Sequence, residues 1–267
     1  MRRIFFFLHL TVLSVAATLS APALAETIDQ PELDRYFKAA GTRGVVVIQD
    51  TGTGKVIASD SVRAAQTFLP ASTFKIPMAL IALETGVVKD AHKDVLPWNG
   101  VDWIVPACNA DQTLASALAR SCVPIFAELG RKVGDERLNA SLKALGYGNQ
   151  DASGGYPYWL NGNLRISALE QIAFIDKLRL GDLPVSPEHM ATVRDITTIE
   201  STDGAVIHAK TGWADSPEPD IGWVTGWVER GGNAWLFALN LDVTTKEHVP
   251  ARLAIAKAAL KEVGALP

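Results

Sequence analysis

The sequence predicts an α+β fold: a mostly antiparallel sheet assembled from both chain ends, with flanking helices and an inserted all-helical lobe. Three observations predict it. β-Branched segments bounded by turn residues occur from residue 44 and again beyond 205, the stretch between them has helical periodicity, and no βαβ alternation is visible.

The first 25 residues read as a secretory signal: Arg2-Arg3, an apolar stretch from Ile4 to about Leu19, and Ala23-Leu24-Ala25, with cleavage after Ala25. A membrane anchor is the competing reading, but Thr11, Ser14, Thr18, Ser20 and Pro22 interrupt the segment and no basic cluster follows it. Residues 26–267 then form a single catalytic domain, with a sheet lobe at about 26–70 and 200–267 and a helical lobe at about 71–199. Gly44–Asp50 and Lys55–Ala58, joined by Thr51-Gly52-Thr53-Gly54, read as a hairpin. Ser72–Glu84 reads as a helix buried on most sides and stopped by Gly86. Helices follow at Thr113–Ala119, Val123–Val133, Glu136–Leu145, Ser167–Leu180 and Pro187–Ile196. Sheet returns at Ala205–Lys210, Ile221–Glu229 and Ala234–Val243, the last two joined at Gly231-Gly232-Asn233, before a final helix at Val249–Val263.

Of the 267 residues, 48% are hydrophobic and 20% charged, with a net charge of −4, so the chain has neither the composition of a disordered protein nor a basic stripe for nucleic acid. A small-molecule partner is expected, with no nucleic acid, no membrane once the signal is removed, and a monomeric or homodimeric state. Export implies an oxidising compartment, the periplasm. There Cys108 and Cys122 could form a bridge or remain two buried thiols.

Four short elements carry the chemistry: Ser72-Thr73-Phe74-Lys75, Ser121-Cys122-Val123, Tyr147-Gly148-Asn149 and Lys210-Thr211-Gly212. A Ser-x-x-Lys alone arises about once by chance in a chain this long, so the weight lies in the joint, ordered occurrence. On a helical turn Ser72 and Lys75 share a face. A serine hydroxyl needs a base to become a nucleophile, and a lysine becomes that base only when burial or a nearby cation lowers its pKa. Phe74, Ile76 and Pro77 supply apolar surroundings, and Pro77 predicts a distorted first turn, since it cannot donate to the Thr73 carbonyl. Trp223, Trp227 and Trp235 read as filling between sheet and helices, and His208 as structural.

These motifs resemble those of the serine penicillin-recognising enzymes, and among them the class D β-lactamases, or oxacillinases. Trp159-Leu160 and the stretches Pro70–Pro77, Trp159–Ser167 and Gly222–Glu229 extend the likeness over essentially the whole mature chain. The resemblance implies a β-lactamase/transpeptidase-like fold and hydrolysis of β-lactam substrates through a Ser72 acyl-enzyme. It implies that Lys75 is N-carboxylated by carbon dioxide and serves as general base, that Trp159 donates to the carbamate, and that Val123, Phe126 and Leu160 keep the pocket dry. It makes Ser121 a proton relay, with Lys210 assisting, and the backbone N–H groups of Ser72 and Trp213 an oxyanion hole. Thr211, Gly212 and Arg252 would bind the substrate carboxylate. No diffusible cofactor or metal is expected. Met78 stands where many members carry asparagine, and Cys122 is a less common choice inside the Ser121 element.

Two other functions share these motifs. A β-lactam-sensing module acylates without turnover but normally hangs from membrane helices. A cell-wall peptidase or transpeptidase is opposed by Tyr147-Gly148-Asn149 and Trp159.

Overall fold

The computed structural model describes residues 27–267 apart from 203 and 217, and the signal segment at 1–25 lies outside the described residues. The elements in order are β1 (Thr27–Asp29), α1 (Asp34–Ala39), β2 (Gly44–Asp50), β3 (Val56–Ala58), α2 (Ser61–Ala65), β4 (Thr67–Phe68) and α3 (Lys75–Glu84). The central stretch holds α4 (Leu114–Arg120), α5 (Val123–Val133), α6 (Asp135–Leu145), α7 (Tyr158–Asn161), β5 (Ile166–Ser167), α8 (Ala168–Leu180) and α9 (Pro187–Ile196). The chain closes with β6 (Thr198–Thr202), β7 (Ala205–Ala214), β8 (Asp220–Arg230), β9 (Asn233–Val243) and α10 (His248–Glu262).

The main sheet has seven strands in the order β1-β3-β2-β9-β8-β7-β6. Only the β1–β3 pair is parallel among these neighbours. Its two sequence halves meet where β2 pairs with β9, from Gly44 opposite Leu241 to Asp50 opposite Trp235, so the sheet is built from both chain ends. The run Val45–Ile48 is apolar without a break because both faces are covered. Val45 and Val47 enter the core beneath the helical lobe, while Val46 and Ile48 enter a second core shared with α10.

Helix α3 is buried from Lys75 to Leu83 and forms the axis of the helical lobe. Its approach is a 3-10 turn, Ala71–Phe74, so the distortion expected near Pro77 is present one turn upstream. At the third position of α3, Pro77 falls in the first turn, where a missing N–H costs least.

Several expectations need correction. The helical insertion is not purely helical, because β5 pairs with β4 and β6 begins at Thr198. Lys-Thr-Gly does not end its strand: β7 continues to Ala214, opposite Ile221, because β8 supplies partners over its whole length. Trp223 and Trp227 are fully buried beneath the helical lobe, but Trp235 is half-buried against the other core. His208 stacks on Trp227 with ring centroids 4.2 Å apart and lies 2.9 Å from the Arg194 carbonyl, a structural setting as expected.

Candidate active site

The site forms where the 3-10 turn, the α4–α5 junction and β7 converge. Ala71 has φ +50°, a left-handed conformation that costs a non-glycine residue energy and turns the chain sharply into Ser72. Two hydrogen bonds hold the turn: Thr73 Oγ1 donates to the Pro70 carbonyl at 2.5 Å, and Gln171 Nε2 of α8 donates to Thr73 Oγ1 at 2.8 Å. Gln171 was missed in the sequence, although a fully buried glutamine in an apolar helix face is a legible signal.

Lys75 Nζ lies 2.5 Å from Ser72 Oγ and 3.4 Å from Ser121 Oγ. The lysine is wholly buried, and desolvation, reinforced by the charge of Lys210, pushes its pKa well below the ordinary amine value. The shift is toward the neutral form, which can accept a proton or attack an electrophile. The Phe126 ring, fully buried, is 5.6 Å from Nζ, while Val123 and Leu160 are half-buried. Ser121 sits at the end of α4 in the left-handed region, with φ +59°. The next residue, Cys122, is bonded to Cys108, which resolves the choice between bridge and thiols.

Opposite them runs β7. A Cβ at Gly212 would lie 3.1 Å from both the Ala71 Cβ and the Ser72 nitrogen, so a larger residue would crowd the strand against the turn. Lys210 is buried, donates to the Thr211 carbonyl at 3.0 Å, and has its pKa lowered to about 7, first by burial and then by Arg252. Thr211 is half-buried. Arg252 reaches from α10 to donate to the Gly212 carbonyl and, through Nε, to the Val249 carbonyl at 2.5 Å. Burial lowers it to about 10, so it remains a cation at neutral pH. Trp213 is 39% exposed at the rim, its indole donating to Asp220 Oδ2 at 2.9 Å.

Trp159 is fully buried and stacks on Phe74, with centroids 5.1 Å apart. Its Nε1, like the Tyr147 and Tyr158 hydroxyls, has no hydrogen-bond partner among the described residues. Tyr147-Gly148-Asn149 fastens the segment that carries Trp159. Asn149 Nδ2 donates to the Asn163 carbonyl at 2.8 Å and its backbone N–H to the Arg165 carbonyl at 2.9 Å. A Cβ on Gly148 would strike that Arg165 carbonyl at 2.1 Å. A separate groove of about 590 Å³, lined by Trp98, Trp103, Val123, Glu128, Arg131 and Tyr156 among others, runs along α5, and Ser72 is not among its walls.

A buried Ser-Lys pair, a second serine and a strand-borne Lys-Thr-Gly on an antiparallel sheet define the class of serine acyl-transfer proteins built on the transpeptidase fold. The penicillin binding protein transpeptidase domain family matches residues 44–263, and the chain belongs to it. The chain is 40% identical to β-lactamase OXA-48 of Klebsiella pneumoniae over 96% of its own length and 97% of that protein. It is 37% identical to β-lactamase OXA-10 of Pseudomonas aeruginosa, covering 90% and 92%. Two solved class D β-lactamases superpose closely. YbXI from Nostoc has a TM-score of 0.85 at 37% identity, covering 88% of this chain and 99% of that one. FUS-1 (OXA-85) from Fusobacterium nucleatum subsp. polymorphum has 0.86 at 34%, covering 90% and 100%. Within the transpeptidase family, the chain is thus a member of the class D serine β-lactamases.

Proposed function

We propose that this protein hydrolyses the β-lactam amide bond of penicillin-type antibiotics through an acyl-enzyme on Ser72, confers resistance to them, and acts in the periplasm after export. The observation that carries the reading is the Lys75 amine, wholly buried, held toward its neutral form and 2.5 Å from Ser72 Oγ.

The surroundings fit carbon dioxide bound covalently on Lys75, because only a neutral amine attacks it and because Trp159 Nε1 is a buried donor lacking an acceptor. When bound, that group supplies the carboxylate oxygen of a general base. Lys75 takes the Ser72 proton as Oγ attacks the lactam carbonyl, and later the proton of the water that releases the acyl group. The Ser72 and Trp213 backbone N–H groups stabilise the oxyanion. Ser121 passes a proton to the departing lactam nitrogen, assisted electrostatically by Lys210. Thr211, Gly212 and Arg252 bind the substrate carboxylate. That assignment is supported by the buried Arg252 charge, which has no carboxylate partner among the described residues.

A chromogenic cephalosporin tests the reading. Steady turnover is expected, falling in acid as the Lys75 amine protonates and recovering when bicarbonate is added. A lasting adduct on Ser72 in the mass spectrum, with no turnover, would make the protein a sensor rather than a hydrolase.

A further inference from the structure

We infer that the Cys108–Cys122 disulfide is a positioning device for the reaction, holding Ser121 beside Lys75 and tying the 101–110 loop to it. The inference rests on the reading of Ser121 as proton relay and adds what keeps that relay in place.

Ser121 occupies a helix-end position that glycine usually fills. With φ +59° and ψ +39° it closes α4, its N–H donating to the Leu118 carbonyl at 3.1 Å, while Cys122 N–H donates to the Ala117 carbonyl at 2.9 Å. A serine there is disfavoured unless the surroundings over-determine it, and in this conformation its Oγ lies 3.4 Å from Lys75 Nζ. The adjoining Cys122 is fully buried and covalently joined to Cys108, which is also buried. Cys108 ends the 3-10 turn Pro106–Cys108, and the next residue, Asn109, accepts from the Trp103 N–H at 2.8 Å. The bridge therefore joins the relay serine directly to the loop that carries Trp103.

A second clamp shares this loop. Gln112, 2% exposed, donates to the carbonyls of Ala107 at 3.1 Å and Ala110 at 3.0 Å, and its Oε1 accepts from Ser116 and Arg120, each at 2.8 Å. That clamp grips the loop and α4 as far as its last residue, Arg120, but does not touch Ser121 or Cys122. Removal of the bridge thus takes the covalent tether from the Ser121-Cys122 turn while the loop stays attached to α4.

The test compares three proteins: bridged wild type, Cys108→Ala/Cys122→Ala, and wild type reduced with a water-soluble phosphine. In the reduction the S–S bond breaks, phosphorus supplies two electrons and takes oxygen from water as the phosphine oxide, and the two water protons go to the sulfurs. Thiol titration should count none before reduction and two after. Single-turnover kinetics with a penicillin, well below the melting temperature, should show acylation slowed by about tenfold to a hundredfold without the bridge, as expected for a displaced proton donor. Release of the preformed acyl group, which does not need the relay to the lactam nitrogen, should keep its rate. A merely structural role would lower both steps together by the active fraction, and that result, or an unchanged acylation rate, overturns the inference. Two free thiols in protein isolated from the periplasm overturn it as well. If the double variant does not fold, the reduced wild type decides. Undiminished acylation by Ser121→Ala in the bridged protein overturns the relay reading itself, and with it this inference. A bridged protein that acylates without turning over overturns hydrolysis alone, and the acylation comparison still decides the role of the bridge.

Discussion

Basic side chains withdrawn from water are treated oppositely in two regions of the molecule. On α2, the part-buried Arg63 donates to Asn240 Oδ1 at 3.0 and 2.6 Å and to Asp242 Oδ1 at 2.6 Å, so its charge is matched by a carboxylate. In the cleft, Lys75, Lys210 and Arg252 are buried together with no carboxylate among the described residues to balance them. The paired cation joins a helix to a strand. Burial, reinforced by a neighbouring cation, lowers the pKa of both lysines, while Arg252 keeps its charge and leaves positive potential for an anion that arrives from outside. Burial of charge is thus structural in one place and chemical in the other, and the presence of a partner separates the two cases.

The sharpest way to break this contrast is Lys75→Ala. Acylation should fall by about 10³-fold or more, and deacylation should nearly stop, as measured by burst kinetics. Unchanged turnover would remove lysine from the mechanism. Arg63→Met should do the reverse: unfolding stability should drop by about 2 kcal/mol in urea titration because Asp242 loses its partner, while kcat holds. Trp159→Phe keeps the stack on Phe74 but deletes the N–H. The bicarbonate concentration for half-maximal activity should rise by about tenfold to a hundredfold, the worth of one hydrogen bond to a charged group.

The smallest effect concerns the energetic cost of the cleft. Lys210 has a folded pKa of about 7 against an ordinary 10.5, so between these values the unfolded chain binds more protons and stability rises with pH. Below pH 7 the amine is charged in both states and its burial penalty is present in full. Lys210→Met should therefore raise stability by about 1–2 kcal/mol at pH 6, with the gain fading toward pH 10, while lowering activity. Equal gains at both pH values would show that the change acts through packing instead.

The candidate site was largely legible in the chain, because its motifs are residue types at short spacing. Ser72, Lys75, Ser121 and Lys210 could be singled out, and the geometry brings them together. Less legible were the short elements α1, α2 and β1, which lack the length to show a period. The cap of α2 did leave a signal, since Asp60 accepts from the Arg63 N–H at 2.9 Å. Gln171 and the Phe74–Trp159 stack escaped because they join residues roughly a hundred positions apart or across a loop.

By itself, then, the sequence determined the α+β class, the order of the long elements and the reactive residue types, since these follow from periodicity and motif. Only the tertiary structure decided that Cys108 meets Cys122, that Ala71 and Ser121 adopt left-handed conformations, and that β7 runs on past Lys-Thr-Gly against the turn at Ser72. It also decided the direction in which the Lys75 pKa moves. A lysine is an ordinary base until the packing around it removes water, and the residues that exclude water from Lys75 come from segments far apart in the chain.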